Sequence, residues 1–129
     1  MKKQPEFELQ KSVVQYLLLK YPKVLFLSDT IASVKLKIPQ AMRNKQIQKP
    51  GFACPDLLIL QPNKHYHGLF IELKVKSPFK KNGQLLKSEH LERQQKTIKD
   101  LTERGYYATF STGFDETKKI IDNYLKDNA

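Results

Sequence analysis

Tryptophan is absent, cysteine occurs once and glycine only five times in 129 residues. The single thiol, Cys54, cannot close an intramolecular disulfide or build an all-cysteine zinc cage, which points to a reducing, cytoplasmic setting. Long apolar runs are missing as well. The longest, Val13 to Leu19, is interrupted by polar residues and far too short to span a bilayer. The opening Met1-Lys2-Lys3 leads into Gln, Pro and Glu rather than a secretory apolar segment. Acid is scarce: 13 Asp and Glu stand against 23 Lys and Arg, a formal net charge of +10. That imbalance favours a polyanionic partner, nucleic acid before an anionic membrane; a basic protein without such a partner is the plain alternative. No repeat, low-complexity tract or interior linker divides the chain, so residues 1–129 read as one domain with one core.

What is present centres on Pro55 to Lys74. Two apolar runs, Pro55-Asp56-Leu57-Leu58-Ile59-Leu60 and Leu69-Phe70-Ile71-Glu72-Leu73-Lys74-Val75, flank a polar turn and predict two paired strands. Both runs contain charges, although strands are depleted in Asp and Glu and a charge in an apolar sheet is costly unless compensated. Glu72 and Lys74, two apart, share one face, while Ile71 and Leu73 share the other. Paired as a hairpin, the runs bring Asp56 within a residue or two of Glu72. Two carboxylates that close repel each other, and a divalent cation relieves them. The pattern predicts a metal site.

Around this hairpin the chain alternates helices and strands. Pro5 suits a helix start, Glu6 and Glu8 suit its positive end, and Leu9, Val13 and Leu17 recur at helical spacing up to a stop by Tyr21, before Pro22. Val24–Ser28 predicts a first strand. Residues 29–53 are the least legible; Pro39 is placed to open a short helix through Gln48. This segment is basic, with Lys35, Lys37, Arg43, Lys45 and Lys49, and reads either as a solvated loop or as a phosphate-contacting insertion. A second basic loop follows Val75, with Lys76, Lys80, Lys81 and Lys87. It has neither the glycines nor the spacing of a phosphate-binding P-loop. Ser88 predicts an N-cap. Leu91, Gln94, Ile98 and Leu101 then share a helix face that ends at Gly105, turning Gln94 toward the sheet. Tyr106–Ser111 predicts a fourth strand, parallel to the third across a right-handed crossover. A closing helix from about Asp115 to Leu125 offers Ile120, Ile121, Tyr124 and Leu125 to the core. The fold class is α/β, a mixed sheet of about four strands flanked by helices, in the order α-β-β-β-α-β-α.

Pro-Asp, a spacer and Glu-x-Lys on the next strand resemble the signature of the PD-(D/E)XK nuclease superfamily. The chain further resembles its VRR-NUC branch, the virus-type replication–repair nucleases, over nearly its whole length. The matching pieces are Glu6 to Gln10, the Gly51…Pro55-Asp56 entry, Ile71-Glu72-Leu73-Lys74, and Gln94-x-x-x-Ile98-x-x-Leu101-x-x-x-Gly105-Tyr106. The departure is the long stretch from Ser28 to Gly51. The resemblance implies a restriction-endonuclease-like core and a metal-dependent DNA endonuclease, with branched or junction DNA as a candidate substrate. It implies Asp56 and Glu72 as ligands of Mg²⁺, or of Mn²⁺ in its place, with the Leu73 carbonyl as a third. Lys74 would sit beside the attacking water. Glu6 would complete the coordination through water or assist a second metal, with Glu8 as the competing choice. Gln94 would hold Lys74 or a phosphate, and Gln10 would support Glu6. Cutting both strands with one site per chain implies a homodimer.

Plainer readings stand beside these. Glu72 and Lys74 could form an exposed pair on an edge strand, Asp56 a turn cap, Glu6 a helix-end charge and Gln94 a helix-boundary polar group. His65 and His67, lacking further ligands, read as exposed turn residues rather than zinc ligands, and Cys54 as a small packed residue. A non-catalytic nucleic-acid-binding module with the same fold is the alternative function.

Overall fold

The computed structural model describes residues 5–28 and 37–126. It comprises helix α1 (Pro5–Lys20), strand β1 (Phe26–Ser28), helix α2 (Ile38–Ile47), strands β2 (Leu57–Ile59) and β3 (Leu69–Lys74), helix α3 (Glu89–Glu103), strand β4 (Tyr107–Thr112) and helix α4 (Gly113–Leu125). The sheet runs β1-β2-β3-β4. The first two pairings are antiparallel and the β3–β4 pairing is parallel.

Strand alternation divides the core. Leu69, Ile71 and Leu73 of β3, with Leu57 and Ile59 of β2, bury against Val13 and Leu17 of α1 and Ile121, Tyr124 and Leu125 of α4. The opposite face of β3 carries Phe70, Glu72 and Lys74. There α3 packs alongside, and Phe70 stacks on Tyr106 with ring centroids 4.9 Å apart. β3 lies between two strands, so Glu72 and Lys74 are not on an edge.

The ends of the elements follow from local chemistry. α1 stops as the Tyr21 amide bonds to the Leu17 carbonyl, one residue before Pro22. Ser88 Oγ accepts from the Leu91 amide and caps α3. Gly105 ends that helix at φ +92°, and an added Cβ would lie 2.6 Å from the His67 ring. His67 therefore packs on the helix terminus, and its amide donates to the Gly105 carbonyl.

Several boundaries differ from the sequence expectation. Val24 donates to the Tyr21 carbonyl, a turn that delays β1 until Phe26. Pro55, with no N–H to give, keeps β2 from starting before Leu57. The last strand runs one residue later than expected and α4 begins at Gly113. The helix opened by Pro39 forms as α2, one more helix than the expected order counted, and none of its residues is buried. No helix among the described residues is long and apolar enough to cross a membrane.

Candidate active site

One step beyond the Leu57–Ile71 pair, the β2–β3 register sets Asp56 directly opposite Glu72. The ladder itself ends at Leu57–Ile71 and stops short of them. Pro55 cannot donate, and the Leu73 amide turns instead to Asp56 Oδ2 at 2.8 Å. A side-chain carboxylate has taken the place of a backbone rung. The two acids share a hydrogen bond of their own.

An open depression of about 150 Å³ surrounds them. Its walls are Glu6, Leu9 and Gln10 from α1, Asp56 at the entry to β2, Glu72, Leu73 and Lys74 from β3, and His90 and Gln94 from α3. Glu6, not Glu8, reaches it. The pieces named from sequence, distant in the chain, thus meet in one place. Glu72 is only 6% exposed, which rules out the solvated-pair reading. Lys74 is half-buried, its ammonium 5.8 Å from the centre of the Phe110 ring.

The bonds of Gln94 differ from those expected. Gln94 is buried, and its Nε2 donates to Glu72 Oε1 at 2.9 Å rather than to Lys74. The same nitrogen lies 3.1 Å from His90 Nε2. An amide nitrogen can only donate, so His90 Nε2 acts as the acceptor. Gln94 Oε1 is buried and makes no hydrogen bond. Gln10 Nε2 donates to Ser28 Oγ at 2.6 Å and to the Asp56 carbonyl at 3.3 Å. It fixes the backbone that carries the carboxylate. His90 was missed in the sequence; its one signal is that it lies four residues, one helical turn, before Gln94.

Burial pushes the Asp56 carboxyl above the ordinary aspartate range, and the Glu6 carboxylate adds to the rise. The hydrogen bonds to Glu72 and the Leu73 amide, with the Lys74 charge, offset it in part. An acid so placed is short of positive charge. Among the described residues no three His, Cys, Asp or Glu side chains gather closely enough to cage an ion. Mg²⁺ typically takes one or two carboxylates and keeps several waters. The two carboxylates bordering the depression are donors of the kind that ion takes.

No family model matches the sequence, and no curated protein matches it. Among solved structures, one described as a VRR_NUC domain protein superposes with a TM-score of 0.63 at 25% identity, covering 98% of this chain and 93% of that one. The chain shares its fold with that VRR_NUC domain protein over nearly its whole length.

The basic residues named from sequence lie outside the depression. Lys37, Arg43 and Lys45 are exposed on or beside α2, and Lys49 follows it. Lys76, Lys80, Lys81 and Lys87 are exposed between β3 and α3. There a bridge between Phe79 and Leu85, closed by the Lys80 amide on the Gln84 carbonyl, holds Lys80 and Lys81 at a hairpin tip. Lys35 lies outside the described residues. His65 and His67 are exposed turn residues, and Cys54 is half-buried beside Pro55.

Proposed function

We propose that this chain is a metal-dependent endonuclease that hydrolyses phosphodiester bonds in DNA, using the depression around Asp56 and Glu72. The observation that carries the reading is the placement of Asp56 opposite Glu72, with Lys74 on the same strand face and Gln94 locking Glu72 from α3. Asp56, Glu72 and the Leu73 carbonyl would hold Mg²⁺ or Mn²⁺, and Glu6 would reach the ion through water. Bound there, the ion would supply charge relief at the phosphate and a more acidic water.

The chain's own residues do the rest. The Leu73 amide and Glu72 orient the Asp56 carboxylate; Gln94 and His90 orient Glu72. Lys74, positively charged and half-desolvated, holds the attacking water in line and offsets the negative charge growing on the phosphorane. Exposed lysines at the Lys80–Lys81 tip and around α2 contact backbone phosphates without reading sequence. Branched or junction DNA is the proposed substrate. A homodimer is the proposed assembly, since one depression per chain cuts one strand.

The test uses plasmid and synthetic four-way junctions with Mg²⁺, Mn²⁺ or EDTA, beside Glu72→Ala and Lys74→Ala. Cleavage should require metal and fall by about a hundredfold or more in both variants. DNA binding by the wild type without any cutting would instead indicate a non-catalytic binding module. Light scattering of the eluting protein checks the dimer: a 15.1 kDa particle would rule it out.

A further inference from the structure

A second hollow, of about 350 Å³, lies further along α3 from the depression. One wall is the turn Lys49-Pro50-Gly51-Phe52, and the other is the α3 face carrying Lys96, Thr97, Asp100 and Arg104. The turn is built to hold its shape. Gly51 adopts φ +80°, the Phe52 amide donates to the Lys49 carbonyl at 3.2 Å, and the Ala53 amide donates to Thr97 Oγ1 at 2.9 Å. Thr97 is itself buried. Phe52 is left 42% exposed at the rim. Lys49, Lys96 and Arg104 are exposed, and none makes an ion pair among the described residues. Three cations face one carboxylate, Asp100.

An exposed ring ringed by unpaired cations is the composition of a stacking platform for an unpaired base, with phosphates held on either side. Distance supports continuity with the depression. Gln94 lines the depression, Thr97 is about 4.5 Å and Arg104 about 15 Å further along the helix axis. An unpaired strand is more extended than the ~3.4 Å per phosphate of duplex DNA, so the span is at most about four nucleotides. The same segment, 49–56, runs from this hollow to Asp56. We infer that the hollow is a subsite for an unpaired nucleotide of the DNA strand entering the active site, with Phe52 stacking on the base and Lys49, Lys96 and Arg104 on its phosphates. This rests on the nuclease reading for its place on the strand.

The absence of tryptophan gives a direct probe. Phe52→Trp places a sole indole in the hollow, and its emission is followed in EDTA as a single-stranded thymidine octamer is added. Saturable quenching that weakens with salt is expected. Thymidine monophosphate at equal nucleotide concentration should quench far less; equal quenching would overturn the strand assignment. Phe52→Ala should bind the octamer about tenfold more weakly, the worth of one stacked base, and blunt duplex within about twofold. Lys96→Ala and Arg104→Ala should each lower the salt slope by about 0.7. Octamer binding, read by anisotropy, that leaves the indole unquenched or is unchanged in Phe52→Ala overturns the subsite, as does no octamer binding at all. Because these readouts need no metal and no cutting, they stand apart from the cleavage assay: an inactive protein that still quenches keeps the subsite and loses the nuclease.

Discussion

Two aspartates in this molecule are treated in opposite ways. Asp122, on α4, is surrounded by donors. Tyr16 and Tyr21 hydroxyls reach its Oδ1 at 2.5 and 2.6 Å, Lys20 at 3.3 Å, and Lys118 approaches Oδ2 at 3.7 Å. Burial pushes this carboxyl up, but the two hydroxyls and Lys20 outweigh it and hold it below the usual carboxylate range. The reciprocal effect is seen on Tyr21, raised to about 12 by burial and by Asp122. Asp56 receives one amide and shares a bond with another acid, and its carboxyl is pushed the other way. At Asp122 the protein has satisfied the charge itself and joined α1 to α4. At Asp56 it has left the charge short of a partner, as the proposed cation site requires.

The contrast can be broken most severely at the acids themselves. Glu72→Ala and Asp56→Ala should each lower cleavage by about a thousandfold, and Lys74→Ala by about a hundredfold, the usual range for a preorganised charge. Asp122→Asn should leave cleavage within about twofold. If Asp122→Asn cuts as poorly as Glu72→Ala, the division of roles fails. Stability should show the reverse order. Asp122→Asn should cost about 2 kcal/mol at pH 7, read by urea unfolding, because two hydroxyls lose a charged acceptor. Asp122 has a depressed value in the folded state, so its contribution is present above the ordinary aspartate value of 3.8 and lost as pH falls through the lower folded value.

Asp56 carries the opposite sign. Its raised folded value means that stability is fully present below 3.8 and lost as pH rises through the folded value. Asp56→Asn should therefore stabilise the metal-free protein by roughly 1 kcal/mol at pH 7, with the gain vanishing below pH 3.8. Saturating Mg²⁺ should favour the wild type instead, by mass action. The smallest effect sharpens the same point. Adding Mg²⁺ in weakly buffered solution near the folded value should release up to about one proton per chain, because the cation replaces the proton shared by the two acids. No proton release at any pH above the ordinary aspartate value of 3.8 would mean that Asp56 is not a ligand.

These differences also mark what could be seen in the sequence. The face shared by Glu72 and Lys74 follows from the two-residue period of a strand, which is local. The orientation of Gln94 toward the sheet follows from helical spacing. The pairing of Asp56 with Glu72 was bracketed but not fixed, because register depends on how the intervening turn folds. That turn is set by contacts from elsewhere: Asn63 accepts from the His65 and Tyr66 amides and donates to the Tyr124 carbonyl, and the Tyr124 hydroxyl reaches Gln61. The Asp122 cluster was invisible for the same reason, its tyrosines lying 101 and 106 residues away. His90 and Phe52 look like ordinary exposed residues until α3 is laid beside the sheet.

The rung that Asp56 takes from the backbone has a mechanical side. A hairpin whose next rung is taken by a carboxylate stops zipping there, and that stop borders the opening around Asp56 and Glu72. Any substitution that let Pro55 offer an amide and Asp56 withdraw would allow the teeth to mesh one notch further. The opening would then close from inside, with every outer residue still in place.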